Sequence, residues 1–471
     1  MATPIPVNQV QLRQDQVLAA TRGTAVGPSW ERVSGVVTDT RAVQAGNLFV
    51  ALRGERFDAH DFVAQAAEAG AAAVVVERGT PLPGNVSGVE VDDTLRALGD
   101  LALAHREAWN GKLVGITGSV GKTTTKDLTA AALEAAGCRV LKTRGNLNNR
   151  IGVPMTLFQL DASVDTAVIE MGMSQPGEIA RLAEIARPDV GIVTRATLAH
   201  TEGLGTVEAV ADEKVSLLHA LTPDGVAVAY GDDPALKKRV SVVSTKRKLF
   251  YGRAAENDVR VLDWDVDATG TRARFQVRGR DVEIDMSLQG EGAVLNAAGA
   301  LAIAVGLDLP LEEAARGVAM VEASPGRMQL RRGSADRLLI DDSYNANPAS
   351  TEVALDAARL VAEKRSAPLV VVLGDMKELG AQSDDAHRRV GELVSEIDTF
   401  LFVGGMACAF LAIPTGGREP RTGLTRPVAV LVFLPLLALV VFLQVRYFHP
   451  KVVGMTRAEL VEYAENAAPS V

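Results

Sequence analysis

Cysteine is nearly absent from this sequence: 471 residues hold two, Cys138 and Cys408. Two thiols cannot make a disulfide framework. Neither lies in a motif that activates a thiol, so both are expected as small core residues in a reducing compartment. Basic excess is absent too. The formal charge of −9 argues against non-specific binding of nucleic acid, whose phosphates attract basic faces, and leaves local anion sites open. The opening residues MATPIPVNQVQLRQ lack the charged-then-apolar order of a secretory signal, which places the first four hundred residues in the cytoplasm. Internal repeats and low-complexity tracts are missing as well. What is present is 47% apolar residues against 23% charged, enough for large cores, in a length that suggests about three domains at ~150 residues each.

Along residues 33–91 short apolar strands (SGVVTDTR, GNLFVAL, AAAVVVE) alternate with a helical pattern, DFVAQAAEAG. This is a small α/β unit. The polar run REAWNGK (106–112) ends in the turn-forming Asn-Gly and marks a boundary. A longer alternation follows: KLVGITG, then a helix over 122–136, then TAVIEMG, PGEIARLAEIA and DVGIVTRA. Strands without polar alternation, separated by helices, imply a parallel sheet covered on both faces. Residues 240–288 change to alternating strands such as TRARFQV and DVEIDMSL, an antiparallel addition before a helix over 293–305. SPGRM (324–328) is a hinge, beyond which RLLIDDSY, PLVVVLGDM and TFLFVGG form a third α/β unit.

The chemistry is carried by GITGSVGKTTTKD (115–127). A glycine-rich turn between a buried strand and a helix aims backbone N–H groups at an anion, and the helix dipole adds to the attraction. Lys122 would reach the outer phosphates and the Thr123 hydroxyl would ligate magnesium. A plain strand-to-helix turn with a chance Gly-Lys-Thr is the competing reading. Gly118 and Gly121 also stand closer together than in the usual G-x-x-x-x-G-K-[ST] loop.

The shortened G-x-x-G-K-[ST] form resembles that of the Mur ligase family, which builds the peptide stem of the bacterial cell-wall precursor. The likeness extends over about 35–405 through TDTRAVQAGNLFVALRGERFDAHDF, TGSVGKTTTK, GNLNNRIGVP, IEMGMSQPGEIA, GRMQL, DDSYNANPAS and VLGDMKELG. Within the family these stretches resemble the branch that adds D-alanyl-D-alanine to UDP-N-acetylmuramoyl-tripeptide. The implied fold is a three-domain α/β ligase with a central parallel-sheet P-loop ATPase domain. The expected division is 1–107 for the UDP-sugar, 108–325 for ATP, and 326–412 for a Rossmann-like C-terminal domain. The implied cosubstrate is ATP with Mg2+, and the implied chain is a cytoplasmic monomer.

Carried over residue by residue, Gly118, Ser119, Val120, Gly121, Lys122, Thr123 and Thr124 would cradle ATP, with Asn296 at the adenine, Arg327 at the phosphates and Asp342 on the ribose side. Asp39, Thr40 and Arg41 resemble the uridine-nucleotide turn. Asn146, Asn149, Ser343, Tyr344 and Asn345 fall in substrate-recognition loops. Glu170 matches the metal-binding glutamate, with a strand-end carboxylate as the plainer reading. His200 matches a ligand of a second magnesium, against an ordinary loop histidine. Lys214 matches the family's carbamylated lysine, whose modification turns a cation into an anionic oxygen donor. By composition alone it is a solvated helix-face lysine. Gly292 and Ala293 stand where the family has His-Asn, and Arg195 and Arg150 replace an expected asparagine and acid. A folate polyglutamylating ligase is the nearest rival, which DDSYNANP and the TDTR turn oppose. A membrane-tethered nucleotide-binding scaffold without turnover is the other.

The resemblance stops near residue 413. PTGGREPRTGLTRP reads as a linker, and VAVLVFLPLLALVVFLQV (428–445) holds one polar residue, Gln444, close to the ~20 residues that cross a bilayer core. The expectation is a third domain cut short, a C-terminal apolar helix that contacts the inner membrane, and reduced or absent turnover. A fusion and a displaced reading frame both account for it.

Overall fold

The computed structural model describes residues 3–397 except 55–56, 198–203, 205, 333–337, 378 and 396, and beyond them 399–403, 409–412 and 430–432. Residues 3–108 build a five-stranded sheet in the order Thr24–Val26, Gly88–Val91, Ala73–Glu77, Leu48–Val50, Val36–Val37, beside a pair formed by Gln11–Arg13 and Arg32–Ser34. One strand of this sheet, Thr24–Val26, precedes the alternation seen over 33–91. The early strands here are three residues long, too short to show a period of two.

The polar run at 106–112 is a join rather than a loose linker. Arg106 lies in the last turn of the helix Thr94–Ala108 and is buried. Its guanidinium donates to the carbonyls of Ala186 (2.9 Å), Arg187 (3.1 Å) and Trp109 (3.2 Å) and to Asp189 Oδ2 (3.2 Å). The first two carbonyls lie at the C-terminal end of the helix Glu178–Ala186, where backbone acceptors lack intrahelical partners. One continuous apolar cluster runs from Leu98 and Leu101 to Ile179 and Leu182, so the first unit and the central one share a core.

The central sheet has nine strands in the order Arg280–Met286, Thr271–Val277, Val259–Val266, Arg247–Gly252, Val226–Tyr230, Val190–Val193, Lys112–Thr117, Thr166–Glu170, Val140–Lys142. It is parallel from Val259–Val266 onward and antiparallel among its first three strands. The antiparallel addition therefore begins at 259, not 240: Arg247–Gly252 still pairs parallel with Val226–Tyr230. Helices cover both faces. On one face lies Gly290–Gly306, apolar nearly all round and packed with Leu128 and Leu133 of the helix Lys122–Ala135, as expected of a helix with no solvent face. Cys138 is partly buried against this cluster; Cys408 lies outside the described residues.

Register decides what surrounds the glycine loop. Lys112–Thr117 lies between Thr166–Glu170 and Val190–Val193, with Glu170 opposite Ile116 and Val193 opposite Thr117. The carboxyl ends of all three strands meet at one edge, where open α/β sheets bind ligands.

The third sheet runs Gln329–Arg332, Leu338–Asp341, Ala409–Ala412, Leu369–Leu373, Thr399–Val403, Val430–Val432. Two of its strands were not expected. Ala409–Ala412 is inserted antiparallel between Leu338–Asp341 and Leu369–Leu373. Val430–Val432, inside the apolar run expected as a helix over 428–445, pairs parallel with Thr399–Val403. A valine-rich run suits a strand as well as a helix. The rest of 428–445 lies outside the described residues. Among the described residues no helix is long and apolar enough to cross a membrane.

Candidate active site

The loop after Lys112–Thr117 turns by way of two glycines with positive φ, Gly118 (+155°) and Gly121 (+88°). Close approach demands glycine at both. A Cβ on Gly118 would overlap Thr194 Oγ1, and one on Gly121 would overlap Asn296 Oδ1. Thr194, just past its strand, donates from Oγ1 to the Val120 carbonyl at 2.6 Å. Ser119 is strapped to the same side: its N–H donates to Arg195 O (2.6 Å), and its hydroxyl exchanges hydrogen bonds with the Thr197 backbone. Gly121 opens the helix Lys122–Ala135 with no side-chain cap. The first N–H groups of that helix therefore face the cavity without a side-chain acceptor.

That cavity, about 570 Å³, is lined from the central unit by the loop, Glu170 and Asn296, and from the third unit by Arg327, Asp342, Tyr344 and Asn345. Its size suits a nucleotide. Lys122 donates from Nζ to Gly118 O at 2.7 Å. Burial lowers its pKa, opposed by Glu170 and assisted by Arg327, so two cations face one space.

Glu170 is buried at the end of its strand. Its Oε2 accepts from Thr123 Oγ1 (2.9 Å) and its Oε1 from Asn148 Nδ2 (2.8 Å). A hydroxyl and a carboxylate side by side at a phosphate cradle are hard oxygen donors that suit magnesium, which takes its remaining ligands from phosphates and water. The donor set fits the ion. Asn148 is a residue that sequence reasoning missed. Three asparagines in four positions give no sign of which one turns toward Glu170. Asn149 Oδ1 instead accepts from Ile151 N and Gly152 N (3.1 and 2.8 Å), and Asn146 lines the cavity.

Lys214 overturns the solvated-face reading. It is 1% exposed, on the face of the helix Val207–His219 that carries Val210, Leu217 and Leu218 into the core. Its Nζ is 4.0 Å from Met173 Sδ, and Met173 lines the cavity. The neighbouring acid makes no direct pair with it, since Glu213 caps Gly177 N and Ile179 N at 2.9 Å each, and its charge only partly opposes the effect of burial. Burial first and then the charge of Lys122 hold its pKa well below the ordinary lysine value. A buried neutral amine is the form that adds carbon dioxide.

Asp342 Oδ1 accepts from Met328 N at 3.0 Å. Burial raises its pKa to about 6 despite the Met328 N–H and Arg327. Ser343 does not join the lining; its hydroxyl folds back on Asp341 Oδ1 at 2.6 Å. Asp39, Thr40 and Arg41 are not brought to this cavity either. Asp39 caps the 3-10 turn Thr40–Ala42 and pairs with Arg41, which is 86% exposed. His200 lies outside the described residues. At Gly292, where a histidine was expected, Val353 of the helix Pro348–Lys364 fills the space a side chain would need. Arg195 stacks its guanidinium on Tyr230, 5.4 Å from the ring centroid.

Three family descriptions match the sequence: "Mur ligase family, catalytic domain" over 32–106, "Mur ligase middle domain" over 116–304 and "Mur ligase, glutamate ligase domain" over 326–418. The chain is 37% identical to the UDP-N-acetylmuramoyl-tripeptide--D-alanyl-D-alanine ligase of Bacillus subtilis, over 83% of this chain and 84% of that one. It is 39% identical to the ligase of the same name from Escherichia coli, over 79% and 81%. Among solved structures it is similar to MurF from Acinetobacter baumannii, with a TM-score of 0.78 at 30% identity, covering 85% and 87%. It is also similar to MurF ligase from Thermotoga maritima in complex with ADP, with a TM-score of 0.71 at 31% identity, covering 78% and 83%. On matches that run from the first unit to the third, this chain belongs to the Mur ligase family.

Proposed function

We propose that this chain joins D-alanyl-D-alanine to the terminal carboxylate of UDP-N-acetylmuramoyl-tripeptide, with ATP converted to ADP and phosphate, in bacterial peptidoglycan precursor synthesis. The observation that carries the reading is one cavity walled by Lys122 and Glu170 on the central unit and by Arg327 on the third. A carboxylate does not condense with an amine unaided, because oxide is a poor leaving group. Transfer of the γ-phosphoryl group to the carboxylate makes an acyl phosphate; the dipeptide amine then attacks its carbonyl carbon and phosphate leaves.

Each residue that lines the cavity has a part its position supports, while the parts of Ser343 and His200 rest on the resemblance alone. The N–H groups at the start of the helix Lys122–Ala135 hold the phosphates, and Lys122 and Arg327 neutralise charge that builds on the transferring group. Thr123 and Glu170 would hold magnesium, whose chemistry is charge neutralisation on the phosphoryl oxygens. Asn148 orients Glu170. Lys214, as a carbamate, would present an anionic oxygen near Met173, with His200 as its partner. Asn296 and Asp342 serve the nucleoside, and Asn146, Asn149, Ser343, Tyr344 and Asn345 the acceptor and dipeptide. The turn at Asp39, Thr40 and Arg41, away from the cavity, fits the uridine end of a long substrate. The units 1–107, 108–325 and 326–412 would then hold UDP-sugar, ATP and the closing face, which excludes water from the acyl phosphate.

Purified protein given ATP, Mg2+, UDP-tripeptide and D-alanyl-D-alanine should release one phosphate per pentapeptide formed, read by mass spectrometry. ATP turnover with glutamate and folate instead would sink the reading. The C-terminal expectation is checked on the same protein: membrane contact through 428–445 predicts that the full chain pellets with membranes while a chain ending at Ile413 does not. A full-length chain that is monodisperse without detergent would refute it.

A further inference from the structure

We propose that Tyr344 is a positioning residue whose ring holds the Arg327 guanidinium over the phosphate loop, an inference that rests on reading this cavity as a nucleotide site. The Arg327 guanidinium carbon lies 4.1 Å from the centroid of the Tyr344 ring. Tyr344 is 50% exposed, so the ring is not placed there to fill a core. Among the described residues no carboxylate forms a direct ion pair with Arg327, although Asp342 is near enough to feel its charge. That choice of partner has a consequence. A carboxylate would spend the N–H donors and cancel the charge. An aromatic face instead fixes the guanidinium plane and leaves its edge free for oxygen anions.

The backbone holds the two residues at this distance. Tyr344 N donates to Gly326 O at 3.0 Å, and Met328 N donates to Asp342 Oδ1 at 3.0 Å, on either side of Arg327. Gly326 and Met328 both take positive φ, +70° and +51°. A Cβ on Gly326 would lie 3.1 Å from Tyr344 N and 3.3 Å from Tyr344 Cβ, so glycine permits the approach. Met328 has no such excuse for a left-handed backbone, and the clamp to Asp342 accounts for it. The turn 324–328 and the loop 341–345 form a single mount, and Arg327 and Lys122 line the same cavity from opposite units.

The test compares Tyr344→Leu with Tyr344→Phe, using calorimetry with ADP and, separately, with UDP-tripeptide alone. Tyr344→Leu should weaken ADP binding about three- to thirtyfold, the range of a cation–π contact. UDP-tripeptide affinity should fall by less than ADP affinity. Tyr344→Phe, which keeps the ring, should recover ADP affinity to within about twofold of the parent. In an Arg327→Ala background, Tyr344→Leu should cost nothing further, because the two residues act as one unit. Normal ADP affinity in Tyr344→Leu, additive losses in the double variant, or a Tyr344→Phe as weak as Tyr344→Leu would each overturn the positioning role. Weakened UDP-tripeptide binding alone would make Tyr344 a substrate contact instead. Failure of the parent chain to bind ADP would overturn the nucleotide reading itself, a distinguishable result.

Discussion

Lys122→Ala is expected to give a folded protein whose kcat/KM for ligation falls by at least about two orders of magnitude, the scale seen when a major electrostatic stabiliser is lost. The fold should survive because Lys122 donates only to Gly118 O within its own loop. The loop is held independently by Thr194 and by the strap from Ser119 to Thr197. Burial disfavours the charged form of Lys122 itself, so losing that charge should not lower the melting temperature. Phosphate release and pentapeptide formation measure the first effect, and a thermal melt the second. Turnover near the parent level would remove the phosphate-loop assignment.

Lys214→Ala should lose activity on a similar scale and regain part of it with added short carboxylates, which can occupy the space of a missing carbamate. Glu170→Ala should not be rescued that way, because Glu170 is fixed by Thr123 and Asn148 on both oxygens. Stability separates this from a folding defect. The folded-state pKa of Lys214 lies well below 10.5. Above the ordinary lysine pKa both states are neutral and the group costs nothing; as pH falls through that value only the unfolded chain takes up a proton, and stability is lost until the folded pKa is reached. Lys214→Met fills the same space with nothing to protonate. At about pH 8 in carbon-dioxide-free buffer it should therefore melt no lower than the parent, while its activity is still lost. Full activity in Lys214→Ala with normal magnesium dependence would defeat the assignment.

Much of the central unit was legible in the chain itself. KLVGIT, TAVIE and VGIV have apolar centres without polar alternation, and each became a parallel strand buried along nearly its whole length. The glycine loop was legible from its spacing and company. Lys214 was not, because its immediate neighbours Asp212 and Glu213 suggest a wet helix face; Arg239 and the N-terminus of another helix draw those acids outward and leave the lysine inside. Nor was the polar run at 106–112. Arg106 looks like linker chemistry until the carbonyls of Ala186 and Arg187, 80 and 81 residues away, arrive to accept its hydrogens.

The tail shows the same limit. A valine- and leucine-rich run carries no signal that separates strand from helix, and for Val430–Val432 the pairing with Thr399–Val403 decided. The sequence by itself determined the alternation of the central unit and the chemistry its strand ends can carry, because strand and helix periodicity and glycine φ are local properties of the chain. Only the tertiary structure decided which of three asparagines holds Glu170, that Lys214 is dry, that Val353 stands where a histidine was expected, and that Tyr344 faces Arg327. Those outcomes turn on register and on side chains brought together from far apart, such as Thr125 and Asn296, separated by 171 positions, and no window of sequence contains both partners.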